Sequence, residues 1–266
     1  MRKNKTIGSF VDLNGVDYKE LLLLDTKRAS QEEIVDANSF PFFKKGSTNE
    51  SILFIHDIGE SPNALRIMAE YVGRLGYYTY NCRLPGHGSK IMYLSKFSFI
   101  DWYESLKCGY FALKNISKSI IVIGKGIGAY LGILLSMYNK VDRLNLLLPE
   151  LYDSNTKIKN LIYKPLHFIK SSFINHNFHE KNELTTYRVF PKRTINESNK
   201  LINFLIKNIH LYNKLTPITI HPYQSKNMSY FYKTQDFLEK LYKSDIKIDK
   251  FNMNLLNKFK VIKDVK

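Results

Sequence analysis

The residues Gly124-Lys125-Gly126-Ile127-Gly128-Ala129 sit between one apolar run and the start of another. A glycine turn between a strand and a helix can present backbone N–H groups to an anion. Two chemistries fit it. As G-x-G-x-x-A it matches the dinucleotide fingerprint, in which those N–H groups hold a pyrophosphate. Asp142 is then the candidate ribose acid, but it precedes the following strand instead of ending it. The turn also follows at least two earlier strands, whereas the fingerprint belongs on the first. As G-x-S-x-G it matches a nucleophile elbow with Gly126 in place of the serine. Glycine takes an elbow conformation without strain and supplies no atom for an acyl-enzyme.

The flanking elements are legible from periodicity. The runs 51–56, 77–82, 119–124 and 143–148 are apolar and short, as buried parallel strands are. Between them, 63–76, 99–114 and 127–139 carry helical spacing. In the first, Leu65, Met68, Ala69, Val72 and Leu75 share a face closed by Gly76. Ser98 or Asp101 caps the second. Strand–helix alternation at this spacing predicts an α/β fold, a doubly wound and mostly parallel sheet with helices on both faces. Chemistry in such sheets lies at the carboxyl ends of the strands. Those ends are 56–60, 83–88, 124–128 and 149–151. The predicted organisation is an N-terminal extension over 1–37, forming an added strand or an arm. Core follows over 38–150, then a helical cap over 151–213 without a clear buried strand, and returning core over 214–266. Within the last part, 218–221 is a strand.

Composition narrows the function classes. The 266 residues are 44% hydrophobic and 24% charged, which excludes wholesale disorder. No run approaches the length of a membrane helix. No apolar segment follows Met1-Arg2-Lys3, so a secretory signal is not expected and a cytoplasmic location is. The formal net charge is +16, carried by 32 Lys and 8 Arg beside 23 Asn. Lys, Asn, Ile, Tyr and Phe rise together under AT-rich coding, and base-edge recognition favours Arg. Specific nucleic-acid binding is therefore not expected, although a basic surface would attract an anionic surface or protein partner. Cys82 and Cys108 read as reduced core thiols. His167, His176 and His179 show no metal-ligand spacing, so no metal or cofactor is expected.

Several stretches carry a resemblance. They are Ser39-Phe40-Pro41-Phe42-Phe43, Ile52-Leu53-Phe54-Ile55-His56, Glu60-Ser61-Pro62, Arg83-Leu84-Pro85-Gly86-His87-Gly88 and the Asp101-Trp102 pair opening a helix. Over roughly 38–255 the chain resembles the esterase and monoglyceride-lipase branch of the α/β-hydrolase superfamily, often labelled serine aminopeptidase-like. The resemblance implies a hydrolase of ester or lipid-like substrates and a small hydrophobic or acyl-type ligand. It places the nucleophile at Gly126, the acid at Lys226 or Asn227, and the histidine near 252–257, where the chain reads Asn-Met-Asn-Leu-Leu-Asn. The last histidine is His221. Nucleophile, acid and base are all missing, so a non-catalytic, ligand- or partner-binding pseudoenzyme is expected. Glu150 is the alternative acid.

By the same resemblance the oxyanion donors are the N–H groups of Ile58 and Ile127. The first loop usually reads His-Gly-x-x-Gly; here it reads His56-Asp57-Ile58-Gly59-Glu60. Asp57 and Glu60 therefore bring carboxylates to a site meant for negative charge. His56 and His87 are expected to tie neighbouring loops together. Lys125 is expected to be solvated or to touch the cap. A relocated hydrolase would need Ser61, Ser89 or Ser225 with His56, His87 or His221. A nucleotide-binding turn at 124–129 is the remaining alternative.

Overall fold

A computed structural model describes residues 15–147, 173–175, 189–208 and 216–221. Its centre is a six-stranded sheet. The strands are β1 (Phe42–Lys44), β2 (Glu50–Ile55), β3 (Tyr78–Cys82), β4 (Ser119–Lys125), β5 (Arg143–Leu147) and β8 (Ile218–His221). The order is β1-β3-β2-β4-β5-β8; β1 runs antiparallel to β3 and every other pairing is parallel. The register sets Leu53 beside Tyr80 and Val122, so the carboxyl ends of β2 and β4 lie next to each other.

Alternation along β2 separates two cores. Ile52 and Phe54 pack with Leu65 and Ala69 of α2 (Asn63–Arg74). Leu53 and Ile55 face the larger core, built with α4 (Phe99–Lys114) and α5 (Ile127–Tyr138). A single helical turn, α3 (Ile91–Leu94), precedes α4. The start of α4 is capped reciprocally: Ser98 Oγ accepts from Asp101 N–H, and Asp101 accepts from Ser98 N–H at 2.9 Å. Within α2, Met68 and Val72 are only partly buried, and Leu75 lies past the helix end, 57% exposed. Helix α5 is buried along nearly its whole length, because α4 and α6 (Lys192–Lys207) both pack on it.

Two expectations are corrected. Within the described part of the N-terminal extension, residues 15–37, the structure has not an added strand but helix α1 (Tyr18–Ser30), which packs along α4. Its inward face carries Leu21, Asp25 and Ala29, with Glu32 following. Two acids on a buried face hide it from a hydropathy reading. Each acid is satisfied: Tyr80 Oη and Ser105 Oγ donate to Asp25, and Arg83 and Gly86 N–H donate to Glu32. Burial raises the Asp25 carboxyl above its ordinary pKa. The stretch 151–213 does contain strand pairing. The short strands β6 (Phe173–Asn175) and β7 (Val189–Pro191) run antiparallel, and β-branched and aromatic residues dominate both. Most of this stretch lies outside the described residues.

Leu21 is 1% exposed and belongs to the main core. Leu21→Ala is expected to cost about 2–5 kcal/mol, measured by urea denaturation with an unchanged slope. A midpoint equal to wild type would mean that α1 is a detachable arm.

Candidate functional site

The turn between β4 and α5 is an elbow. Gly126 has φ +51° and ψ −118°, a conformation that strains a residue with a side chain. Its N–H donates to Leu147 O at 3.0 Å, which pins the turn to β5. Close packing sets the next glycine: a Cβ on Gly128 would run into the Ile55 carbonyl at the end of β2. The small residues of the turn thus bring the first residues of α5 against the β2 exit.

That exit is the loop His56-Asp57-Ile58-Gly59-Glu60, and its carboxylates occupy the site. Asp57 Oδ1 accepts from Ile58 N–H at 2.7 Å and from Ile127 N–H at 2.7 Å. These are the two donors that the resemblance assigns to the oxyanion, and they converge on one atom. A Cβ on Gly126 would overlap the Asp57 carboxylate. The carboxylate therefore fills both the oxyanion position and the room a residue-126 side chain would need. Glu60 braces the loop. Its Oε2 accepts from Asp57 N–H at 3.2 Å, and its Oε1 pairs with Lys125 Nζ. Glu60 is 3% exposed and Lys125 23%, so the pair lies at the edge of the buried site. Lys125 was expected to be solvated or to touch the cap. The structure pairs it with Glu60, because the β4 exit sits directly beside the β2 exit. Phe190 on β7 is buried over Gly59. Nothing in its sequence surroundings marks it for this place.

The histidines hold loops. His56 is fully buried; its Nδ1–H donates to Asp57 O at 2.8 Å and its Nε2 accepts from Leu84 N–H at 3.2 Å. An amide can only donate, so Nε2 carries no proton and both ring nitrogens are committed. Burial holds the His56 pKa down, to about 3. His87, 5.1 Å away between ring centroids, is held well below its usual range, first by burial and then by His56. Its ring meets Trp102 edge-on, and Trp102 Nε1–H donates to Pro85 O at 3.1 Å. Arg83 ties the same loop together, donating to His87 O at 2.8 Å and to Glu32 at 2.5 Å.

Three of the residues named for a relocated constellation, Ser89, Ser61 and His221, make the following contacts. Ser89 Oγ donates to Gly86 O at 2.9 Å, and Ser61 Oγ accepts from Asn63 N–H at 3.4 Å. His221 Nε2 lies 3.4 Å from Asn145 Oδ1. The dinucleotide reading loses its anion-binding N–H as well, since Ile127 N–H is already bonded to Asp57. Among the described residues, no three His, Cys, Asp or Glu side chains are grouped as metal ligands. No described helix is long and apolar enough to cross a membrane. Lys226, Asn227, Ser225, Glu150, His167, His176, His179 and 252–257 lie outside the described residues.

A mostly parallel sheet with helices on both faces and an elbow leading into a buried helix define the fold class. It is the α/β-hydrolase fold, as the solved structures agree. The chain superposes on a structure of the metagenome-derived lipolytic enzymes LipS and LipT with a TM-score of 0.66. The match covers 80% of this chain and 86% of that one at 14% identity. The mouse α/beta hydrolase domain-containing protein 10 gives 0.54 over 85% and 92% at 14% identity. Monoacylglycerol lipase from Paleococcus ferrophilus gives 0.53 over 78% and 85% at 10% identity. By sequence, the chain is 28% identical over 110 residues to a thermostable monoacylglycerol lipase of Bacillus sp. (strain H-257). That match covers 41% of this chain and 44% of the lipase, so the chain spans less than half the length of this relative. No family model matches the chain. It is an α/β-hydrolase-fold protein that resembles esterases and monoglyceride lipases.

Two outcomes follow from this geometry. Gly126→Ala should destabilise the protein by about 1–3 kcal/mol through overpacking. In an Asp57→Gly background that cost should shrink markedly, as a double-mutant cycle in denaturant would show; equal costs in both backgrounds would mean that the two positions do not share space. His56 and His87 have folded pKa values below those of the unfolded chain. Their contribution to stability is whole above about pH 6.5. It falls as the pH drops, because the unfolded state takes up protons first; for His56 the loss levels off only below about 3. The slope should reach at most about 1.4 kcal/mol per pH unit for each histidine. Histidine-to-glutamine variants of either residue that remain folded should show a flatter acid limb in pH-resolved melting.

Proposed function

We propose that this chain is a non-catalytic member of the esterase and lipase type of α/β-hydrolase, a pseudoenzyme that binds a ligand or partner without hydrolysing it. One observation carries the reading. The elbow residue is Gly126, and the Asp57 carboxylate is seated on the two N–H groups that would otherwise stabilise a reacting oxyanion. Serine hydrolysis needs a nucleophile, a base with an orienting acid, and a vacant oxyanion hole. Glycine removes the first. A bound carboxylate removes the last, because a second negative charge would be repelled from the same donors. The residues at the acid and histidine positions, Lys226 or Asn227 and 252–257, point the same way in sequence. His56 offers no substitute base, since protonation would break its bond to Leu84 N–H.

The ligand proposed is small and hydrophobic or acyl-type, held beneath a cap drawn from 151–213. The lipases and lipolytic enzymes the chain resembles motivate that choice. An anionic surface or a protein partner at the basic exterior is a separate proposal that rests on charge.

The test is hydrolysis of short- and long-chain p-nitrophenyl esters by the purified protein beside Gly126→Ser and Asp57→Gly/Gly126→Ser variants. All three are expected to be silent, since the base is missing in each. Turnover by wild type that tracks the folded protein would overturn the reading.

A further inference from the structure

The Ile58 and Ile127 N–H groups come from different elements, the β2–α2 loop and the start of α5. Both reach one oxygen of Asp57 at 2.7 Å. Two convergent amides with short bonds make a preformed anion site, and 12-residue helix α5 adds its positive end. In this chain the anion is internal. Asp57 is 7% exposed, and the Glu60 bond to its N–H fixes the loop that carries it. Gly126 leaves the volume the carboxylate takes up. Beside it, the Glu60 carboxylate pairs with Lys125.

We propose that Asp57 is a built-in carboxylate ligand that closes this anion site from within. Asp57 is thus the residue that decides what the site accepts: it excludes carboxylates and other oxyanions and restricts the site to ligands that are uncharged where they meet it. This deepens the non-catalytic reading above, since the same carboxylate that forbids oxyanion stabilisation also selects the ligand class. The converse is that the site is latent. With the side chain removed, the two N–H groups are left buried and unpaired, and an external carboxylate satisfies them. An internal ligand has an advantage over any dissolved one, because its binding costs no translational entropy. The intact protein therefore stays closed to carboxylates at millimolar concentrations despite its net charge of +16.

The probes are acetate and decanoate, titrated below the micelle range at constant ionic strength against wild type, Asp57→Gly and Asp57→Asn. Binding is read by calorimetry and by the shift in Tm. Asp57→Gly is expected to gain saturable binding of acetate, at least about tenfold tighter than wild type, with a rise in Tm that follows saturation. Decanoate should bind more tightly still if the acyl pocket opens on the same site. Asp57→Asn keeps an oxygen on the two donors, so it should gain nothing. Chloride at equal ionic strength separates carboxylate binding from general attraction to a basic surface. The proposal is overturned if wild type binds acetate as well as Asp57→Gly does. It is also overturned if a folded Asp57→Gly protein binds none. Should the glycine variant not fold, Asp57→Ala vacates the same position and carries the same expectations. Ester turnover by wild type would defeat the non-catalytic reading without touching this result, since the binding comparison is made without an ester.

Discussion

The structure around the candidate site depends on one carboxylate oxygen. Asp57 Oδ1 draws the N–H groups of Ile58 and Ile127 together, and so joins the exits of β2 and β4. Each such bond to a charged acceptor contributes on the order of 1.5–3 kcal/mol, and Ile58 and Ile127 are both buried. Gly126 is the condition for this arrangement, because a side chain there would overlap the carboxylate. Glu60 and Lys125 then have defined places. Glu60 holds the Asp57 backbone and Lys125 balances Glu60. A change at 126, 57 or 60 is therefore felt at the other positions.

A second, apolar-walled framework keeps these loops where the carboxylate needs them. His56 reaches from the β2 exit to Leu84, Arg83 ties the following loop to His87 O, and Trp102 secures Pro85 from α4. Glu32, at the end of the N-terminal segment, bonds both Arg83 and Gly86. Buried charges contribute only when every partner is present. The Asp25 and Glu32 networks satisfy that condition, and they make α1 part of the scaffold. This is the scaffold of the α/β-hydrolase fold, with the Asp57 carboxylate seated at the turn at its centre.

Much of the fold was legible because buried parallel strands and amphipathic helices write distinct periods. The spans 99–114 and 218–221 match the observed α4 and β8, and the other core boundaries differ by a residue or two. The α1 segment was not legible, because its inward positions include Asp25 and Glu32, which look solvent-facing until Tyr80, Ser105, Arg83 and Gly86 are brought to them. The β6–β7 pairing was missed for a related reason: three-residue strands are too short to show a period. Lys125 lies in the turn itself, and its partner Glu60, 65 residues away in the chain, was not legible from that position.

At the site, sequence alone determined the chemical inventory. It showed glycine at the elbow, carboxylates in a loop that usually carries glycine, and two histidines in loop positions. Residue identity is enough to state that Gly126 itself supplies no side-chain nucleophile, because an atom that is absent cannot react. Only the tertiary structure decided where the Asp57 carboxylate goes. The physical reason is that Ile58 and Ile127 become neighbouring donors only when β2 and β4 pair in parallel and their exits meet. That adjacency depends on strand order and register, which no local pattern of residues encodes.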